Sequence, residues 1–109
     1  MAIKLEDYEE YLEGIAPEIH DVLTGTFAEA AHVMSPTGLQ NYLEGAKGLC
    51  NLGRGKDLVI SYLQVMPLVS KECGEDIITD CIAAAMKLSS MTSGEVIALL
   101  FNSLPTAAR

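Results

Sequence analysis

Apolar residues recur along this chain at intervals of three and four, the spacing that lines one face of an α-helix. Leu5, Tyr8, Leu12 and Ile15 make a first stripe, with acidic residues opposite. Ile19, Val22, Leu23, Phe27, Ala30, Ala31 and Met34 make a second. The Ala16-Pro17 step separates them, because the residue before a proline is driven out of the helical region. Pro17 itself suits the first turn of the next helix, which runs to about Val33. Ser35-Pro36 repeats the device, with Ser35 as N-cap. A third stripe follows, Leu39, Tyr42, Leu43, Ala46, Leu49 and Cys50, closed by Gly53 as a left-handed cap.

Residues 56–72 have a different pattern. Leu58, Val59, Ile60, Tyr62, Leu63, Val65, Met66, Leu68 and Val69 leave almost no polar side. A helix that is apolar all round must be covered on several sides. Pro67 lies inside it and predicts a kink or a split, since it removes one backbone bond and crowds the preceding turn. After Gly74, a fifth helix over about 75–90 turns Ile77, Ile78, Cys81, Ile82, Ala85 and Leu88 inward. A sixth, capped by Thr92 or Ser93, carries Val96, Ile97, Leu99, Leu100, Phe101 and Leu104. Gly53-Arg54-Gly55 is so short a link that the helices either side of it are expected to pair as an antiparallel hairpin.

Two of these stretches are alike. Shifted by 39, Ala46 falls on Ala85, Leu49 on Leu88, Gly55 on Gly94, Leu58 on Ile97, Ile60 on Leu99 and Tyr62 on Phe101. Both copies then meet a proline, Pro67 and Pro105. A period near 40 with two helices per unit is the mark of a helical repeat. The expected fold is all-α: about six helices stacked as antiparallel hairpins in HEAT-like fashion, in one domain over residues 1–109.

Composition narrows the function. With 109 residues, half of them hydrophobic and 20% charged, the chain can bury a core and is not a disordered segment. No apolar run approaches the roughly 20 residues a membrane span needs. The start is acidic, unlike a signal peptide, so the expected location is cytoplasmic. The net charge of −8 falls entirely on residues 1–45, with nine acids against Lys4, while residues 46–109 balance six acids with six bases. Nucleic acid and anionic membrane both demand a basic footprint, and this chain has none. Glu9, Glu10 and Glu13 form the densest acidic group. It is either a solvated face or a surface for a basic partner.

The chain is poor in reactive constellations. His20 and His32 share a helix but sit twelve apart, about 120° round its axis, and so cannot form an i, i+4 metal pair. Cys50, Cys73 and Cys81 make no C-x-x-C pair, and all three are expected as small core residues. Gly48 and Gly53 have the glycine spacing of a phosphate loop, but Arg54 stands where its lysine belongs and a helix precedes it instead of a strand. No catalytic, cofactor-binding or metal residue is expected. Arg54 and Lys56, at the tip of a helical hairpin, are the charges best placed for recognition.

The sequence from Met34 to Gly55, and again Thr92 to Phe101 with Pro105-Thr-Ala-Ala-Arg109, resembles the amino-terminal helical region of CbbO/NorD-type proteins. These are large von Willebrand factor A (VWA) domain adaptors of MoxR-class AAA+ ATPases. The resemblance implies a non-enzymatic domain that binds a MoxR-class hexamer or its client. That client is Rubisco in the CbbQ/CbbO pair and nitric oxide reductase in the NorQ/NorD pair. The family's metal-binding Asp-x-Ser-x-Ser lies in its VWA domain and does not occur here. On this reading the chain is the amino-terminal part of a longer protein. The alternative is a self-contained domain that homodimerises through Val96, Leu100 and Leu104.

Overall fold

The computed structural model describes residues 10, 13, 15–53 and 55–107. Among them all regular structure is helical: α1 (Pro17–Val33), α2 (Pro36–Asn51), α3 (Lys56–Cys73), α4 (Asp76–Leu88) and α5 (Gly94–Ala107). The first expected helix falls outside the described residues, apart from Glu10, Glu13 and Ile15.

The boundaries follow the local chemistry. Pro17 and Pro36 each open a helix. Ser35 caps α2 by accepting a hydrogen bond from the Gly38 amide at 3.1 Å. Gly53 ends α2 with φ of 66° and Gly74 ends α3 with φ of 91°, conformations that a side chain strongly disfavours. The Ser93 hydroxyl accepts from the Val96 amide at 3.3 Å and opens α5.

Helix α3 is the centre. It packs against all four other helices, which is why its sequence has no polar side. Helices α1 and α5 flank it in one layer, while α2 and α4 pack on each other in a second. The shortest extent of the molecule, 19 Å, suits two layers of helices whose axes lie about 10 Å apart. The core runs through Leu23, Phe27, Leu39, Tyr42, Leu43, Leu58, Tyr62, Leu63, Met66 and Ile78, all buried.

Pro67 does not divide α3, which continues unbroken to Cys73. A proline leaves the carbonyl four residues earlier without its helical donor, here Leu63. The Tyr42 hydroxyl of α2 donates to that oxygen at 2.5 Å and satisfies it. In return the Tyr62 hydroxyl donates to the Tyr42 carbonyl at 2.7 Å, and the two rings stack with centroids 5.5 Å apart. Burial raises the pKa of both phenols, keeping them as neutral donors. The side chain of Thr26 on α1 adds a contact to the Tyr42 hydroxyl at 3.1 Å, so three helices meet at one oxygen. Gly45 makes room for this: a Cβ there would lie 2.5 Å from the Tyr62 hydroxyl.

The cysteines divide. Cys81 is buried and Cys50 half-buried, but Cys73 is exposed, against expectation, because it sits on the last turn of α3 beyond its neighbours.

Candidate protein-interaction face

Two places were singled out by sequence, and the structure treats them differently. At the link between α2 and α3, Lys56 forms an ion pair with Glu18 of α1, and both side chains are well exposed. The hydrogen bond and charge of Glu18 raise the Lys56 pKa. Such a surface pair is screened by water and contributes little to stability. Arg54 lies outside the described residues. Glu9 does also, while Glu10 and Glu13 are exposed. The Glu10 carbonyl oxygen accepts a hydrogen bond from Lys47 of α2 at 3.2 Å, so its backbone reaches the second layer.

The other place is α5. Ile97, Ala98 and Phe101 are buried against α3, with Phe101 set 6.3 Å from the Tyr62 ring. The opposite side is bare. Val96, Leu99 and Leu100 are 42%, 68% and 48% exposed, and the preceding turn adds Met91 at 71%. Three such residues at i, i+3 and i+4 form one stripe, and a contiguous exposed apolar stripe marks a contact site more often than scattered single residues do. Of the three residues expected for this contact, Val96 and Leu100 are on the stripe. Leu104 is half-buried, part of its side chain packing against the core. The residue missing from that set is Leu99, the most exposed of the stripe. Its spacing of three from Val96 was the available signal.

Beside the stripe runs an open groove of about 460 Å³ between α3 and α5, lined by Asp57, Ile60, Ser61, Glu95, Ala98, Leu99 and Asn102. Its polar groups are two carboxylates, a hydroxyl and an amide. Among the described residues no group of three or more His, Cys, Asp or Glu is arranged to hold a metal ion. No described helix is long and apolar enough to cross a membrane. No family model, curated protein or solved structure matches the chain.

Proposed function

We propose that the chain is a non-catalytic protein-interaction domain, a HEAT-like stack of helical hairpins. The observation that carries it is the bare apolar stripe of α5, Val96, Leu99 and Leu100. The layering of α1, α3 and α5 against α2 and α4 supports the stack, because such repeats place first helices beside first helices and second beside second.

The partner is a MoxR-class AAA+ ATPase hexamer or its client, in a cytoplasmic adaptor of the VWA type. Rubisco activation is the favoured process and nitric oxide reductase maturation the alternative. What supports this assignment is the sequence likeness over residues 34–55, 92–101 and 105–109. Within it, the charged tip at Arg54 and Lys56 is the surface offered to the ATPase, and α5 is a surface for helix-to-helix contact.

Capture of a purified MoxR-class hexamer by the immobilised chain tests the assignment. The wild-type chain retains the hexamer, and joint Arg54→Glu and Lys56→Glu reversal weakens capture about tenfold, a loss of about 1.4 kcal/mol. A wild-type chain that retains no hexamer removes the ATPase from the proposal.

A further inference from the structure

We infer that the α5 stripe is covered by the α5 stripe of a second copy of this chain, the two helices packing antiparallel about a twofold axis near Leu100. This rests on reading α5 as a contact face and names what occupies it.

The internal repeat indicates that a helix belongs there. Adding 39 to Asp57, Ile60 and Ser61, the α3 residues that line the groove beside α5, gives Val96, Leu99 and Leu100. In α3, Ser61 is buried and Ile60 half-buried with α5 alongside. Leu99 and Leu100, at the equivalent positions of α5, are more exposed than Ile60 and Ser61, and Val96 is apolar where α3 has the exposed Asp57. They have the chemistry of a covered layer without the layer.

Charge selects the occupant. The end of the layer away from α5 is α1, whose exposed residues include Glu18, Asp21 and Glu29. None of the exposed large hydrophobic residues among the described residues lies on α1. Head-to-tail stacking of α1 on α5 would press carboxylates against Leu99 and Leu100 and strip their water, an unfavourable exchange. Two α5 stripes bury apolar surface on both sides, and they keep the acidic ends of both copies at the far edges. The charged residue of α5 is Glu95, near its start. Antiparallel pairing sets each Glu95 against the uncharged end of its partner around Leu104 and Pro105, whereas parallel pairing would bring the two carboxylates together.

Sedimentation of the full chain gives the test. Wild type is expected at twice the 11.7 kDa chain mass. Leu100→Glu and Leu100→Lys are each expected at the single mass, with helical content unchanged by circular dichroism. Mixing the two variants is expected to restore the doubled mass, because residues at a twofold axis face their own copies. Should Leu100→Glu fail to fold, Leu99→Gln at the most exposed position reads the same loss. A wild-type chain of single mass up to its solubility limit overturns the inference, as does a doubled mass that persists in both Leu100 variants. A single-mass chain whose Leu100→Glu variant loses affinity for another protein overturns only the second copy, leaving α5 a contact face. A stripe whose substitution changes neither property overturns both readings.

Discussion

A single hydroxyl, that of Tyr42, decides how α3 passes through its proline. It occupies the acceptor that Pro67 leaves open, the Leu63 carbonyl, deep in the core. Removing a partner from a buried carbonyl costs its desolvation, about 1–3 kcal/mol. Tyr42→Phe is therefore expected to destabilise the fold by that amount in urea unfolding. In a Pro67→Ala background the restored amide can bond Leu63, and the same Tyr42→Phe change is expected to cost less than about 1 kcal/mol. An equal cost in both backgrounds would separate the hydroxyl from the proline. The two buried phenols also set an alkaline limit. Their folded pKa values lie above the ordinary value of 10.0, so their contribution is complete below that pH and is lost as pH rises beyond it. Thermal melts are expected to fall steeply above about pH 10 in wild type and less steeply in Tyr42→Phe. Matching slopes would show that Tyr42 ionises without penalty.

Helix α2 is fixed to α4 at its first turn. The Glu75 carboxylate accepts from the Ser35 amide and, at 2.9 Å, from its hydroxyl, while Ser35 accepts from Gly38. A carboxylate at a helix N-terminus meets unpaired amides and the positive end of the dipole. Gly38 is suited to this closeness, since a Cβ there would collide with the Glu75 side chain. Glu75→Gln is expected to cost about 0.5–1 kcal/mol, the lower range for a partly exposed site, and the loss should shrink when Ser35 is already Ala. Additive losses in the two variants would mean the groups do not act together. The sequence showed half of this arrangement. Ser35-Pro36 is a local signal and marked the cap correctly, as did Pro17, Gly53 and Gly74. Glu75 lies 40 residues away from Ser35, and Tyr42 lies 21 from Leu63, so neither remedy could be read from spacing along the chain. For that reason Pro67 predicts a kink or a split from sequence, whereas α3 is not split and runs on with a borrowed donor. The α5 stripe was legible in part: its apolar character is a matter of period, but which positions α3 covers depends on the rotation of one helix on another. That rotation half-buries Leu104 and bares Leu99.

At the scale of the molecule, the central position of α3 and the one-sided support of α5 have one origin. A layer of three helices buries its middle member and leaves an edge at each side. One edge, α1, is finished with carboxylates, and the other, α5, is finished with leucine and valine. Of the acids in residues 1–45, Glu18, Asp21 and Glu29 are exposed on α1 and suit that edge to water, while α5, whose charged residue is Glu95, is suited to another helix. The most direct measurement is methyl-detected NMR of the full chain over a dilution series. The Val96, Leu99 and Leu100 methyl signals should shift together with concentration while those of Leu39 and Leu43, in the core, stay fixed. A series in which the α5 methyls hold their positions, or in which other surface methyls move instead, would contradict the pairing of α5 with a second copy of the chain.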